Sequence, residues 1–496
     1  PPPPLGSHAY ALHSLHLKGW PMLWSVGVLS AWMGLSLAVS NETTLLCSGC
    51  SSPLALLPSH TPINNILNRG SSQGSNQPAI SAVPTRPSQA LLQPYMTAAG
   101  TSAAPARTAP SKNLLILMSD TGGGHKASAQ ALQDAFDTLY PGTWNTSIVD
   151  IWTDYGGFPF NGVVGYYKFL GKRPNLWRFG YHFTRFPVSR KITEVWSKLV
   201  SFKGFTQCFE EYEPDLVISV HPLCHYIPHR VMKKMGNGQR QIPFVTVVTD
   251  LGSAHPTWFD GNLDGTYVPT DVLAKRARKK GVRPQNIKLT GLPTRQEFWQ
   301  NQALSKESAR EELGLKTGIK TALIVGGGDG VGKITEIATA TAARLGADME
   351  ESQVVVVCGK NEATKAALDA HVWPANVHAK VLGFTKEMDK LMGASDLIVT
   401  KAGPGTIAEA SIRGLPIILS SYLPGQEKGN VPYVVKGGFG AFERRPRKIA
   451  KLVSKYLRDE DKLAEMGSKA LAAGKPDATL KIALDIMQVA LLQIAN

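Results

Sequence analysis

Acidic residues are scarce in this chain. Its 496 residues carry 38 Asp and Glu against 53 Lys and Arg, a formal net charge of +15. That balance points to an acidic partner: nucleic acid, a phosphate-bearing substrate or an anionic membrane. Cysteine is scarce too. Five in this length (Cys47, Cys50, Cys208, Cys224, Cys358) make no disulfide framework and fit a reducing compartment for the folded part. Cys47 and Cys50 form a C-x-x-C, but no second pair or redox-domain pattern accompanies it, so no metal or redox use follows. Two glycine loops, "TGGGHKAS" and "GGGDGVGK", both fail to complete G-x-x-x-x-G-K-[ST], which excludes a Walker loop. No Asp-x-Asp triplet of the metal-bridging kind is evident, so no metal is expected at the site and none as a cofactor.

The first 112 residues differ from the rest. They hold one acidic residue, Glu42, against five Lys and Arg, and are rich in Ser, Pro, Ala, Thr and Asn. This composition fits a cleaved organelle transit peptide. Within it Trp20 to Val39 is uncharged and largely apolar, nearly long enough to span a bilayer, and reads equally as a signal-type core or an anchor. Residues 40–112 show no useful periodicity and are expected to be disordered.

From Asn113 onward apolar runs alternate with helical stretches. "NLLILMS", "DLVISV", "FVTVVTD" and "IKLTG" form one set; "TALIVGGGDG", "VVVVCG", "AKVLGF", "DLIVTKAG" and "PIILSS" form a second. Unbroken apolar strands fit parallel sheets covered on both faces. The fold expected is α/β, two doubly wound Rossmann-like domains facing each other across a cleft: residues 113–298, then residues 299–496 ending in the helical "ATLKIALDIMQVALLQI".

Three glycine clusters stand at strand ends. Gly326, Gly327 and Gly328 open a run that approaches G-x-G-x-x-G without matching it, and close packing of a helix on the sheet would suit them as well. Gly403, Pro404, Gly405 and Thr406 begin "GPGTIAEA", where free backbone N–H groups at a helix start would favour a diphosphate. Glu409, read as lying in the first turn, suits a ribose hydroxyl pair or ordinary capping. Gln426, Glu427, Lys428 and Asn430 occupy a loop after the next strand, with side chains suited to sugar hydroxyls. The second half thus reads as a nucleotide-diphosphate-sugar site. The first loop, "SDTGGGHKAS", ends in His125.

"SDTGGGHKASAQAL", "VISVHPL", "VVTDLGSAHPTWF", "GLPTR", "GGGDGVG" and "TKAGPGTIAEASIRGLPIILSSYLPGQEKGNVPYVV" together resemble the monogalactosyldiacylglycerol synthases of glycosyltransferase family 28, in order and across essentially everything after Asn113. The resemblance implies a GT-B fold, with the acceptor in the first domain and UDP-galactose in the second. It implies that His125 is the catalytic base, and an imidazole suits that task because its ordinary pKa of about 6.5 lies near working pH. It places Arg295 of "GLPTR" near the diphosphate and Phe384 on the uracil ring; a surface ion pair and core packing are the respective alternatives. Asp120 either orients His125 or caps the turn. Asp329 and Lys333 stand where Glu and Pro would be expected in plant relatives, and Thr294 replaces an aliphatic residue.

Phe158 to Phe205 holds nine Lys and Arg against one acid, Glu194, and thirteen aromatics. Basic and aromatic together describe either single-stranded nucleic-acid binding or an interfacial membrane segment. The lipid-enzyme resemblance favours the membrane and no nucleic acid. "GFPFN" resembles the family's W-P-F-N, which carries activation by phosphatidic acid over to Pro159, with Phe158 in place of the tryptophan. "HPTWF" offers His255 and Trp258 as acceptor-side or phosphatidylglycerol contacts. The expectation is a peripheral enzyme of the plastid envelope, with diacylglycerol as acceptor and a homodimer as one assembly. A glucosyltransferase of the same family, a UDP-sugar epimerase and a non-catalytic lipid sensor are the rival readings.

Overall fold

The computed structural model describes residues 112–494 except 172, 301–304, 329 and 331. The leader expected over residues 1–112, its apolar stretch, the C-x-x-C and the departure at Asp329 therefore lie outside the described residues, save Lys112. Cys208, Cys224 and Cys358 are buried free thiols.

Two six-stranded sheets make up the fold. The first contains β1 (Lys112–Met118), β2 (Trp144–Asp150), β3 (Leu216–Ser219), β4 (Phe244–Val247), β5 (Gly265–Val268) and β6 (Ile287–Leu289), in spatial order β2-β1-β3-β4-β5-β6. The second contains β7 (Thr321–Val325), β8 (Ser352–Val357), β9 (Val377–Leu382), β10 (Leu397–Lys401), β11 (Ile417–Ser421) and β12 (Gly440–Phe442), in order β12-β11-β10-β7-β8-β9. Every pairing is parallel.

The unbroken apolar runs are explained by burial on two faces. Along β1, Leu114, Ile116 and Met118 enter one core with Leu132 and Phe136 of helix Gly124–Leu139. Leu115 and Leu117 enter another with Phe205, Cys208 and Phe209 of helix Pro187–Tyr212. Period-two side chains thus go to opposite cores, each of which is apolar. The second sheet repeats this, with Leu323 and Val325 of β7 in one core and Ala322 and Ile324 in the other.

The closing helix, Ala478–Ile494, belongs to the first sheet and not to the second. Leu480, Ile482, Ala483 and Ile486 share the core of Leu114 and Phe136. The Tyr267 hydroxyl donates to Asp485 at 2.7 Å. The Thr294 N–H donates to the Thr479 hydroxyl at 3.0 Å, and that hydroxyl donates back to the Thr294 carbonyl at 3.0 Å. One strap thereby ties the chain's end to the crossover between the two sheets.

Candidate active site

The carboxyl ends of β1, β3 and β4 converge on His125. Gly122 and Gly123, at φ of 100° and 72°, turn the chain through left-handed backbone that favours glycine, and helix Gly124–Leu139 starts at once. His125 is the second residue of that helix and is buried. Its Nδ1 lies 2.8 Å from the Val220 carbonyl beyond β3 and 3.0 Å from the Thr249 hydroxyl beyond β4. A carbonyl only accepts, so Nδ1 carries the proton and Nε2 presents its lone pair. Burial pulls the imidazole down to about 4, with the Val220 bond and the nearby Asp120 charge opposing. The ring is therefore neutral at neutral pH, as a base must be. Its orientation comes from Val220 and Thr249; Asp120 makes its backbone bond to Asp150 at 2.9 Å.

The wall around the ring is buried and polar. His221 meets His125 edge-on at 4.6 Å, and its Nε2 lies 3.0 Å from the Thr121 hydroxyl. Asp250, which the sequence did not single out, is buried and accepts the Trp258 indole N–H at 2.8 Å. Burial pushes its carboxyl up to about 7; the indole bond pulls it down and the Glu427 charge raises it further. Trp258 is 0% exposed, its ring 6.1 Å from that of His125. This corrects the expectation of a lipid contact: a fully enclosed indole whose only donor is engaged cannot meet a headgroup. His255 is half-buried, 5.4 Å from the Tyr181 ring and 3.3 Å from the Thr184 hydroxyl.

The second sheet presents its own strand ends. Gly403 is the N-cap of helix Pro404–Ile412, and no side chain caps it, so the N–H groups of Gly405 and Thr406 have no capping partner. A Cβ on Gly405 would meet only open space. Glu409 falls in the second turn, not the first, because the helix begins at Pro404. It pairs with Arg295 through two bonds, Nε to Oε1 at 2.8 Å and an Nη2 to Oε2 at 2.9 Å. Two residues expected on separate parts of the donor are thus locked to each other, with Arg295 also 5.2 Å from the Phe298 ring.

Gly326, Gly327 and Gly328 form the turn between β7 and helix Ile334–Asp348. Gly326 is close-packed, since a Cβ would come within 2.1 Å of Ile334. The Gly328 carbonyl accepts the Lys360 N–H at 3.0 Å, while a Cβ on Gly328 itself would meet nothing. Lys333 is the N-cap of the helix. Phe384 lies just beyond β9 and is 63% exposed, which removes the core-packing alternative and leaves a ring face open.

The loop after β11 divides in role. Glu427 is buried and pairs with Lys401, and its other oxygen accepts the Leu423 N–H at 2.8 Å. Asn430, the first residue of helix Asn430–Lys436, is fully buried. It accepts the Gly252 N–H at 2.9 Å and donates to the Ala402 carbonyl at 2.9 Å. With both ends of its amide engaged, Asn430 clamps the two halves together instead of reaching a sugar. Gln426 is half-buried and Lys428 exposed. The chain's one D-x-D sequence, Asp459 to Asp461, opens helix Glu460–Ala473, where Asp459 caps the Lys462 N–H at 3.0 Å.

In the basic and aromatic segment, Pro159 precedes a short turn of helix, Phe160–Gly162, and Phe158 is 70% exposed. Lys172 of the basic segment lies outside the described residues. Nine of the nineteen exposed large apolar side chains among the described residues fall between Phe158 and Leu199, five of them rings, while Phe205 lies in the core with Phe160 and Phe202 against it. Val188, Ile192, Val195 and Leu199, at steps of four, three and four, make one apolar face of helix Pro187–Tyr212. Arg185, Lys191 and Lys203 are exposed alongside.

Comparison with known proteins bears on family and fold. The profile of the family described as monogalactosyldiacylglycerol (MGDG) synthase matches residues 125–294, and that of the glycosyltransferase family 28 C-terminal domain matches residues 321–482. Monogalactosyldiacylglycerol synthase 3, chloroplastic, of Arabidopsis thaliana is 42% identical over 76% of this chain and 81% of its own. The probable monogalactosyldiacylglycerol synthase 2, chloroplastic, of Oryza sativa subsp. indica is 41% identical over 77% and 81%. Among solved structures, Acinetobacter baumannii MurG superposes with a TM-score of 0.50 at 17% identity, covering 76% of this chain and all of that one, which bears on the fold alone and makes it GT-B.

Proposed function

The chain belongs to the monogalactosyldiacylglycerol synthase family, enzymes that transfer galactose to diacylglycerol for galactolipid synthesis, and on that premise we propose how its residues perform the transfer. The donor is UDP-galactose and the anomeric centre is inverted. His125 Nε2 takes the proton of the diacylglycerol hydroxyl while that oxygen bonds to the anomeric carbon. The bond from that carbon to the diphosphate oxygen breaks, and UDP leaves with the electron pair. The observation that carries this is the His125 ring itself, buried and neutral, with Nδ1–H fixed on the Val220 carbonyl so that Nε2 is the basic atom.

Charge on the departing diphosphate is met by the uncapped helix start at Gly403, Pro404, Gly405 and Thr406, with help from Arg295, paired to Glu409 of the same helix, and from the Gly326–Gly328 turn. Glu409, held by the Arg295 fork, receives the ribose hydroxyls, and the exposed Phe384 ring receives the uracil. Gln426 and Lys428 face the sugar, and Glu427, expected there too, holds the loop through Lys401 and the Leu423 N–H. No metal is assigned to these steps and no cofactor beyond the donor.

The apolar face and cations of helix Pro187–Tyr212 dock on a bilayer, each fully buried aliphatic side chain contributing about 1.5–3 kcal/mol. Among the described residues no helix is long and apolar enough to cross a membrane. Peripheral binding at the plastid envelope, activation by anionic lipids such as phosphatidic acid and phosphatidylglycerol through the Pro159 region, and a homodimer complete the proposal. Its test supplies the full chain with vesicles of diacylglycerol, phosphatidylcholine and phosphatidylglycerol, and with UDP-galactose or UDP-glucose. A β-linked galactolipid from UDP-galactose, formed faster with anionic lipid, is expected. A glucolipid, or an α-linkage by NMR, would overturn the donor or the inversion.

A further inference from the structure

The basic and aromatic segment does more than face outward. Helix Pro174–Phe183 exposes Arg178 and Phe179 on one side and turns its other side to the second half of the molecule. The Trp177 indole N–H donates to the Pro424 carbonyl at 2.7 Å, between residues 247 apart in sequence. One residue on, the backbone of Gly425 lies so close to the Tyr181 ring that a Cβ would fall 2.4 Å from it, and its φ of 86° is left-handed. That approach needs glycine. Tyr167, from the preceding helix Val163–Gly171, packs edge-on against Trp177 at 4.9 Å. Its hydroxyl lies 3.5 Å from Gln426 Oε1, and a Cβ on Gly122 would sit 3.3 Å from the same hydroxyl.

Tyr167 therefore touches both the turn that leads into His125 and the 423–430 loop of the other half, and Trp177 and Tyr181 touch that loop beside it. That loop has no regular structure before Asn430. From its other side, Ser253 donates to the Gln426 carbonyl at 2.7 Å and accepts the Gly429 N–H at 3.2 Å. The loop's ends are pinned by Glu427 on Lys401 and the Leu423 N–H and by Asn430 on Gly252 and Ala402, while its outer turn at Pro424 to Gln426 meets the aromatic rings and Ser253.

We propose that Tyr167, Trp177 and Tyr181 form a strap that couples bilayer docking to the donor site, with Trp177 as the positioning residue. The inference rests on the proposed roles of the 158–205 segment at the membrane and of the 423–430 loop at the donor. Docking Phe169, Phe179 and the apolar helix face on lipid restrains the two short helices. Their inner rings then hold the 423–430 loop in one place, so the ordering entropy is met before nucleotide arrives. Linkage makes the effect reciprocal: vesicles tighten nucleotide binding, and nucleotide tightens vesicle binding by the same factor.

The experiment measures UDP affinity of the full chain by calorimetry, with and without vesicles of phosphatidylcholine, diacylglycerol and phosphatidylglycerol, for the wild type and Trp177→Phe. Phenylalanine keeps an aromatic ring but has no N–H for Pro424. The wild type should bind UDP at least about threefold tighter on vesicles, as a modest coupling between sites requires. In Trp177→Phe that ratio should fall close to unity, with vesicle sedimentation unchanged. Tyr181→Leu, which removes the ring against Gly425, serves the same purpose if Trp177→Phe does not fold. Equal ratios in wild type and variant, or no tightening in the wild type, would overturn the strap. A wild type that binds no UDP under either condition defeats the donor-site reading instead, and one that does not sediment with vesicles defeats the membrane reading; the strap falls with either.

Discussion

His125 stays neutral down to about pH 4 in the folded protein, whereas an unfolded chain protonates the same ring near pH 6.5, an ordinary value of about that size for histidine. Between those values the unfolded state binds the extra proton. The resulting stability is present in full above pH 6.5 and is lost as pH falls towards 4, a difference of about 3 kcal/mol. Asp250 acts in the opposite sense. Its carboxyl keeps a proton up to about pH 7, so the folded state loses relative stability as pH rises from the ordinary carboxylate range to that value. Comparing wild type with His125→Gln isolates the histidine. The variant should lose less stability than the wild type between pH 7 and 4.5, read as urea midpoints at each pH. Parallel pH curves would show that burial of this ring carries no linkage.

At the scale of elements, the crossover between the sheets contains a misfit. The Thr294 hydroxyl is buried without a hydrogen-bond partner, at a position where the family resemblance implies an aliphatic residue. Thr294→Val keeps the shape and removes the stranded hydroxyl, so stability should rise by about 1 kcal/mol. A denaturant midpoint unchanged or lowered would show that the hydroxyl is satisfied in solution. The helix Pro187–Tyr212 makes a second prediction. Ile192→Asp with Leu199→Asp places charge on its exposed apolar face, where no core packing is disturbed. Vesicle co-sedimentation should drop at least about tenfold, since each lost burial is worth more than 1 kcal/mol, while the melting temperature changes little. Undiminished sedimentation would move the membrane surface elsewhere.

Most strands with two-sided burial were legible in the sequence, although the short, glycine-led β5 was not, and the edge strands β6 and β9 were. β1, β3, β4, β7, β8 and β10 announce themselves as unbroken apolar runs because both faces of the sheet are covered. β2 does not: it is an edge strand whose Asn145, Thr146 and Ser147 are partly or wholly exposed. β12, three residues long, leaves no periodic signal. Among site residues, the glycine turns and helix starts were legible because their backbone demands are local. The burial of Trp258, the Arg295–Glu409 fork and the clamp made by Asn430 were not, since each depends on a partner that no short spacing reveals. Asp250 gave one faint signal, an acid closing an apolar strand run.

At the scale of the whole molecule, the proposed transfer depends on two sheets held with their strand ends opposed. Asn430, Ser253 and the Arg295–Glu409 pair cross between them, and the closing helix returns from the second sheet to the first. The proposed base, His125, and the proposed charge-binding helix start at Gly403 belong to different halves, so on this reading neither half alone holds a complete site. The most direct test of the central claim is the turnover of His125→Ala on diacylglycerol vesicles with UDP-galactose, together with its affinity for UDP. Loss of general-base catalysis predicts a fall in kcat of about a hundredfold to ten-thousandfold, with UDP affinity close to that of the wild type. Turnover within a few-fold of wild type, with UDP binding intact, would contradict His125 as the base and with it the mechanism built on that ring.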